Sequence, residues 1–140
     1  MKREIITNRI VHIEGYLQEL DSLFALDKET ELLRDSVKMH AVERLLQLFV
    51  DAAVDINQNI ITSRKLAPAD SYKGSFVILG EQSIIPPDFA DMISDSVGLR
   101  NAIVHRYEFV SNSVIIAGVK KLIPQYRTYL KHIIQFLDAQ

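Results

Sequence analysis

Hydrophobic residues return every three or four positions along most of this chain, which is the spacing of one face of an α-helix. Residues 2–26 show the pattern clearly and predict a first helix. Its apolar stripe consists of Ile6, Ile10, Ile13, Leu17, Leu20 and Phe24. The best candidate for a strand, residues 75–79, is too short and too isolated to build a sheet. The pattern therefore predicts an all-α fold.

The longest predicted helix is the second, from about Thr30 to Ser63. Its middle is apolar on most sides, and a helix of this kind usually lies at the centre of a domain. A connector follows at residues 64–70. A short third helix is then predicted over Ser71–Leu79, and we expect Gly80 to end it in the left-handed conformation that glycine adopts easily.

Proline and glycine mark the boundaries of the remaining helices. The pair Pro86-Pro87 opens a fourth helix, because proline is well tolerated in a first turn, and Gly98 interrupts its apolar pattern. A last helix is expected over residues 113–139, with a kink or break at Pro124. We therefore predict a single domain over residues 1–140, an antiparallel bundle of about five helices with a long central second helix.

Composition narrows the class of protein. Hydrophobic residues make up 48% and charged residues 24%, a balance typical of a globular domain rather than a disordered chain. The absence of cysteine excludes disulfides, thiolate zinc sites and thiol nucleophiles. The sequence shows no signal peptide and no apolar run long enough to span a membrane, so we expect a cytoplasmic protein with no membrane partner.

The net charge of −2 counts mildly against nucleic acid as a partner, because phosphate neutralisation supplies most of the affinity of a dedicated DNA-binding domain. The charge is unevenly distributed, however. From Arg100 to Arg127 the chain holds five basic residues and one acid, Glu108, whereas the remainder is acidic. A modest surface for RNA is therefore allowed by the sequence but not required by it.

Unusual side chains are concentrated between Gly98 and Tyr107. On a helix that turns about 100° per residue, Asn101 and His105 share a face, whereas Arg100 and His105 lie about 140° apart. Arg100 and His105 cannot both point into one pocket from a regular helix. Either the helix is irregular there, or the site is shared with another helix or another chain.

Arginine, histidine and tyrosine together could cleave RNA without a metal. Histidine transfers protons near neutral pH, and arginine offers a forked, permanently charged donor to phosphate oxygens. RNA brings its own nucleophile, the 2′-hydroxyl. The structural alternative is an arginine on the surface, a histidine bonded to a backbone carbonyl and a tyrosine packed at a helix end.

A polar stripe crosses the long second helix at steps of four residues. It consists of Glu43, Gln47, Asp51, Asp55 and Asn59. Carboxylates on a central helix should be paired or solvated, and their nearest natural partners are Arg100 or Arg106. The stripe is therefore either a solvated strip of an amphipathic helix or an acidic support that orients Arg100 or His105.

Other kinds of site find less support in the sequence. His12, His40 and His132 lie far apart and form no close ligand pair of the kind that binds zinc, so we expect no metal. The glycines stand alone and form no phosphate-binding loop, and the sequence indicates no cofactor.

The segment from Arg100 through His105 to Tyr107 is similar to the R-x4-H-x-Y motif of HepT-like toxins. These toxins are a branch of the HEPN (higher eukaryotes and prokaryotes nucleotide-binding) superfamily. The surroundings of Glu43 and Asp55 also resemble the long helix of that family. The resemblance covers roughly residues 5–138, and the late position of the motif in a helical chain of this length supports it.

This resemblance implies a role for each residue of the motif. Arg100 and His105 would be the ribonuclease pair, and Asn101 would support His105. The chain would act as a homodimer, with the two motifs meeting in a cleft between chains. Tyr107 would accept AMP from a cognate minimal nucleotidyltransferase that serves as antitoxin, and the added phosphates would block RNA. Arg106, where an acid is more usual in the family, would strengthen RNA binding.

We therefore predict the toxin of a type VII-like toxin–antitoxin pair, a metal-independent endoribonuclease. Asp51, Asp55 and Glu43 are its predicted acidic support. Two alternatives stay open at this point. A non-catalytic module that binds a nucleotide or pairs with a nucleotidyltransferase would use the same residues for ligand contact. In a purely structural helical adaptor, changes to the motif would have no functional effect.

Overall fold

Seven α-helices make up the part of the chain that the computed structural model describes, residues 2–105 and 110–140. In chain order they are α1 (Arg3–Leu26), α2 (Glu29–Arg34), α3 (Ser36–Ser63), α4 (Tyr72–Glu81), α5 (Pro87–Ser94), α6 (Ser96–His105) and α7 (Asn112–Asp138). No strand occurs in these residues, and the prediction of an all-α fold is confirmed. None of the helices described is long and apolar enough to cross a membrane.

The predicted second helix is two helices, α2 and α3, so the long central helix is the third of seven rather than the second of about five. Asp35 separates them. Its backbone is extended, and its carboxylate accepts hydrogen bonds from the backbone N–H groups of Val37 (3.1 Å) and Lys38 (3.2 Å). An aspartate in this position caps a new helix. The apolar spacing continues across the cap, which is why periodicity alone did not reveal it.

α3 lies at the centre of the fold and packs against α1, α2, α4, α6 and α7. Its buried apolar side chains are Met39, Val42, Leu46, Phe49, Val50, Ala52, Ala53, Val54, Ile56, Ile60 and Ile61. Full burial of one large aliphatic or aromatic side chain contributes about 1.5–3 kcal/mol. The central helix therefore determines which face each neighbouring helix turns inward.

A buried hydrogen-bond network joins α3 to α4 and α7. The Tyr129 hydroxyl lies 2.5 Å from the side-chain oxygen of Asn57 and 3.1 Å from the carbonyl oxygen of Ala53. The Asn57 amide in turn donates to the Ser75 hydroxyl oxygen at 3.1 Å. Burial raises the pKa of Tyr129, so its hydroxyl stays protonated and can donate. A satisfied buried network of this kind favours one arrangement of the three helices over others.

Predictions made at glycine and proline are corrected by the structure. The interruption expected at Gly98 falls at Asp95, between α5 and α6, and Gly98 lies inside α6. Gly80 is not left-handed; Ser83, beyond the end of α4, has a positive φ of 55°. Pro124 lies inside α7, which runs without interruption from Asn112 to Asp138, so the break that was one of the two expectations at this proline is not observed.

Gly80 instead allows α4 and α5 to approach each other closely. A methyl group at this position would lie 2.6 Å from Cβ of Ala90 and 3.3 Å from Cα of Pro87. Gly15 of α1 differs, because a methyl group there would meet no atom within 4 Å. The two helical glycines therefore have different structural roles.

Alanine substitution should affect these two glycines in opposite directions. Gly80→Ala should lower the free energy of unfolding by about 1–3 kcal/mol, because α5 must move away from the added methyl group. Gly15→Ala should raise it by about 0.5–1 kcal/mol, because alanine has the higher helix propensity. Urea denaturation followed by circular dichroism measures both. A Gly80→Ala chain as stable as the parent would contradict the close approach of α4 and α5.

Candidate active site

α6 carries Arg100 and is fixed in the core at its first residue. The Ser96 hydroxyl donates to the carbonyl oxygen of Ile93 (2.7 Å) and lies 2.7 Å from the hydroxyl of Tyr126 on α7. Since the Ser96 proton is already donated, Tyr126 is the donor in the second bond. Burial raises the pKa of Tyr126, which keeps that donor protonated. The start of α6, one turn before Arg100, is thereby tied to α7.

Three side chains hold the guanidinium of Arg100. Its Nε donates to Oδ1 of Asp51 on α3 at 3.0 Å, and its Nη1 donates to Oδ1 of Asn101 at 3.2 Å. Its central carbon lies 4.7 Å from the ring centre of Tyr72 on α4. Only 13% of the Arg100 side chain is exposed. A guanidinium this buried needs a counter-charge, which Asp51 supplies, and the aromatic ring adds cation–π attraction.

Tyr72 faces the guanidinium as a neutral ring. Burial raises the pKa of its phenol, and the negative charge of Asp51 raises that pKa further, whereas Arg100 lowers it. Because the net effect is upward, the phenol stays protonated at neutral pH. Tyr72 therefore contributes an uncharged π-surface next to the arginine.

These contacts leave part of the Arg100 guanidinium available to a ligand. The two hydrogen bonds use Nε and Nη1, and arginine has further N–H donors on its terminal nitrogens. The planar fork of an arginine matches the oxygens of a phosphate. Arg100 is thus a positive group, already held in place, of the kind that stabilises charge developing on a phosphate.

His105 is the last residue of α6, and its side chain is exposed. α6 is a continuous α-helix from Ser96 to His105, so the irregular helix that the sequence left open is not observed. At about 100° per residue, the side chains of Arg100 and His105 leave the helix about 140° apart. A pocket that uses both therefore requires groups from another helix or another chain.

The carboxylates of the polar stripe on α3 have different surroundings. Asp51 binds Arg100, whereas Asp55, one turn further along, accepts a hydrogen bond at 2.7 Å from Nε of Arg9 on α1. Glu43 lies two turns before Asp51 and is buried, with 7% exposed. The stripe is therefore neither uniformly solvated nor directed as a whole at Arg100.

Sequence reasoning did not find Arg9 or Tyr72. The carboxylate of Asp55 signalled that a base should lie nearby, but the partner is 46 positions away, on a helix whose packing the sequence does not reveal. Arg106 and Tyr107 lie outside the described residues, so the roles expected of them stay predictions. In residues 2–105 and 110–140, no group of three or more histidines and carboxylates is placed to hold a metal ion.

The fold and the site together define a helical domain with an anchored arginine and an exposed histidine on one helix. The profile of the family described as Ribonuclease HepT-like matches residues 13–133. The chain is 31% identical over 133 residues to the tRNA nuclease HepT of Aphanizomenon flos-aquae, covering 95% of this chain and 90% of that protein. It is 25% identical over 130 residues to the mRNA nuclease HepT of Shewanella oneidensis, covering 91% of this chain and 94% of that protein. The chain belongs to the HepT-like ribonuclease family.

Solved structures share this fold. One is the tri-AMPylated HEPN toxin of Shewanella oneidensis in complex with MNT antitoxin, with a TM-score of 0.86 at 23% identity over 94% of this chain and 97% of that one. Another is YutE, a cytosolic protein of unknown function from Bacillus subtilis. Its TM-score is 0.85 at 16% identity over 99% of this chain and 92% of that one. The helical bundle is thus the HEPN-type fold that the sequence predicted.

Asp51→Asn and Asp55→Asn form a matched pair, because each removes one carboxylate of α3 from an arginine. Asp51→Asn should lower the free energy of unfolding by about 1–3 kcal/mol, since the largely buried Arg100 loses its counter-charge. Asp55→Asn should lower it by less than about 1 kcal/mol, because Arg9 and Asp55 are 37% and 42% exposed. Urea denaturation measures both, and equal losses would show that the two ion pairs do not differ as their burial indicates.

Proposed function

We propose that this chain is the toxin of a toxin–antitoxin pair and acts as a metal-independent endoribonuclease. The observation that carries the proposal is the placement of Arg100, a largely buried guanidinium held by Asp51 on the helix that ends in His105. Relatives named tRNA nuclease and mRNA nuclease support RNA as the substrate. We place the protein in the cytoplasm, where both of these RNAs are found.

RNA supplies the nucleophile in the proposed reaction. The 2′-oxygen attacks the adjacent phosphorus and forms a new P–O bond, while the bond from phosphorus to the 5′-oxygen breaks. The proton of the 2′-hydroxyl passes to the imidazole of His105, a side chain suited to proton transfer near neutral pH. The departing 5′-oxygen takes up a proton from water. The products carry a 2′,3′-cyclic phosphate and a 5′-hydroxyl.

Arg100 stabilises the negative charge that gathers on the phosphate oxygens during this step. Because Asp51 and Tyr72 already hold the guanidinium, little reorganisation is needed as the charge develops. Asp51 is a positioning residue, since it acts through Arg100. Asn101, expected to support His105, accepts a hydrogen bond from Arg100, and its proposed role is to hold Nη1.

The other two carboxylates of the predicted acidic support, Asp55 and Glu43, are not hydrogen-bonded to Arg100. Asp55 holds Arg9 rather than Arg100. Glu43 is a buried charged residue of α3, two turns before Asp51. We propose that Glu43 belongs to the same acidic support.

Arg106 follows His105 in the sequence and would add positive charge that attracts the RNA strand.

We propose that the active form is a homodimer in which the two motifs meet in a cleft between chains. Support comes from the helix geometry: side chains about 140° apart on one helix cannot both close on one phosphate. A second copy that presents its own α6 across the cleft would bring an exposed His105 towards the Arg100 of its partner. The site would then be complete only in the dimer.

We propose that a cognate minimal nucleotidyltransferase acts as antitoxin by attaching AMP to Tyr107. The related Shewanella toxin, tri-AMPylated and bound to its MNT antitoxin, supports this form of control. Each AMP would place a negative phosphate and a bulky base two residues beyond His105. RNA would then be excluded by both charge and size.

His105→Ala and Arg100→Ala should each slow RNA cleavage at least about 100-fold, because each removes a group that acts in the transition state. Cleavage is followed on gels in EDTA, with circular dichroism to confirm that each variant is folded. His40→Ala is the matched control, since His40 is an exposed histidine of α3 outside the site, and it should cut RNA as the parent does.

A folded His105→Ala chain that cuts at the parental rate would contradict the proposed chemistry. If no preparation cuts RNA although its intact mass shows no modification, the protein is not a ribonuclease. Nucleotide-dependent thermal stabilisation of such a sample would then favour the non-catalytic binding module.

Tyr107→Phe should remove the modification site. After co-expression with the cognate nucleotidyltransferase, the intact mass of the parent should include added AMP units, and that of Tyr107→Phe should not. The variant should therefore still cut RNA in the presence of the transferase. AMP units that persist in Tyr107→Phe would place the modification on another residue.

A further inference from the structure

A cleft of about 520 Å³ opens between α1, α3 and α4 on the side of α3 that holds Arg100. Its volume lies within the range of pockets that bind small ligands or single nucleotides. Seven polar or aromatic side chains contribute to its lining: Arg9, His12, Tyr16, Asp51, Asp55, Gln58 and Tyr72. We call it the α1–α3 cleft.

The α1–α3 cleft adjoins the candidate active site, because two residues belong to both. Asp51 lines the cleft and accepts the hydrogen bond from Nε of Arg100. Tyr72 also lines the cleft, and its ring lies against the Arg100 guanidinium. A strand whose phosphate contacts Arg100 would therefore have its next nucleotide at the mouth of this cleft.

Arg9 repeats the arrangement of Arg100 one turn further along α3. Each arginine donates from Nε to an aspartate, and the two aspartates are four residues apart, a rise of about 6 Å along the helix. The aspartates that hold the two arginines are thus separated along the helix by a distance comparable to that between successive phosphates of a nucleic-acid strand. The terminal nitrogens of Arg9 are not used in its bond to Asp55.

The ion pair of Arg9 can be exchanged at little cost. The Arg9 and Asp55 side chains are 37% and 42% exposed, and pairs this exposed contribute little to stability. The Arg100 pair differs, since only 13% of that arginine is exposed. Arg9 is therefore the cation of the two that can exchange its carboxylate for a phosphate at the lower cost.

Two aromatic rings of α1 lie at the other side of the cleft. Tyr16 is half-buried and packs against the core, which holds its ring in place. The exposed ring of His12, one turn earlier, has its centre 6.3 Å from that of Tyr16, with an angle of 36° between the planes. Proteins that bind single-stranded nucleic acid combine flat side chains, on which the bases stack, with cations that contact the backbone.

We propose that the α1–α3 cleft binds the nucleotide next to the scissile phosphate, with Arg9 on the adjoining phosphate and Tyr16 and His12 stacking on the base. The inference rests on the proposed cleavage of RNA and adds a substrate-binding site to it. It explains why an acidic stripe can lie beside an RNA site: each of Asp51 and Asp55 is covered by an arginine. When the strand binds, Arg9 exchanges its contact with Asp55 for a contact with the phosphate.

The test measures binding of a fluorescent single-stranded RNA by anisotropy, in the His105→Ala background so that the strand stays intact. Each phosphate contact on a single strand contributes about 0.7 to the slope of log affinity against log salt concentration. Arg9→Met should therefore weaken binding and reduce that slope by about 0.7. Arg127→Met is the matched control, because Arg127 forms an exposed ion pair with Asp21 away from the cleft. Its slope should equal that of the His105→Ala parent.

The carboxylate partners give a second test with the opposite sign. Asp55→Asn releases Arg9 from its competitor and should tighten RNA binding at least twofold. Asp21→Asn removes the same charge from the Arg127 pair and should change affinity less. Should Arg9→Met not fold, this comparison tests the same contact.

Tyr16 provides the test of stacking. Tyr16→Leu should weaken RNA binding about fivefold or more, whereas Tyr16→Phe should bind as the parent does, because phenylalanine keeps the flat ring. Equal affinity of Tyr16→Leu and Tyr16→Phe would contradict base stacking in the cleft.

The outcomes separate this inference from the proposed function. If the unmodified chain cuts RNA but Arg9→Met keeps the parental salt slope, the cleft is not the neighbouring subsite and the ribonuclease assignment stands. If Arg9→Met or Tyr16→Leu instead changes the sedimentation of the dimer, the cleft is a contact between chains, which contradicts the inference. If the His105→Ala chain binds no RNA and the parent cuts none, both proposals fall.

Discussion

A guanidinium that is mostly withdrawn from water must have a counter-charge close by, and this requirement connects the helices around Arg100. α3 is buried on most sides, yet it supplies Asp51 to Arg100 and Asp55 to Arg9. α4 contributes the ring of Tyr72, its first residue. The two ion pairs thus account for Asp51 and Asp55 on a central helix, and the pair at Asp51 fixes the direction of the Arg100 guanidinium.

Much of the fold follows from local rules, because apolar spacing shows which residues face inward. The first helix and the central position of the long helix were predicted in this way. The division into α2 and α3 was missed, because one capping residue, Asp35, interrupts a spacing that continues beyond it. Gly80 was assigned to a helix end for its conformational freedom, whereas its role is to let α4 and α5 come close. Such contacts depend on tertiary packing and leave no local signal.

The site was predictable to a similar degree. The motif residues stood out by type and spacing, and the polar stripe indicated that carboxylates of α3 meet an arginine. Which carboxylate meets which arginine depends on how α1 and α6 lie against α3, so the pairing of Asp55 with Arg9 could not be foreseen. The same geometry separates a largely buried cation, Arg100, from a more exposed one, Arg9, and our proposals assign catalysis to the first and substrate binding to the second. Family membership, the anchored arginine and the exposed His105 all agree with a ribonuclease that uses the 2′-hydroxyl of its substrate.

The most direct test of that chemistry changes the substrate rather than the protein. A short RNA with one strongly cut linkage is compared with the same strand carrying a single 2′-deoxyribose immediately 5′ to that linkage. Both are incubated in EDTA with protein whose intact mass shows no added AMP. Our account predicts that the RNA is cut to leave a 2′,3′-cyclic phosphate and that the deoxy linkage stays intact. Cleavage of the deoxy linkage would contradict it, because the nucleophile would then have to come from water or from the protein.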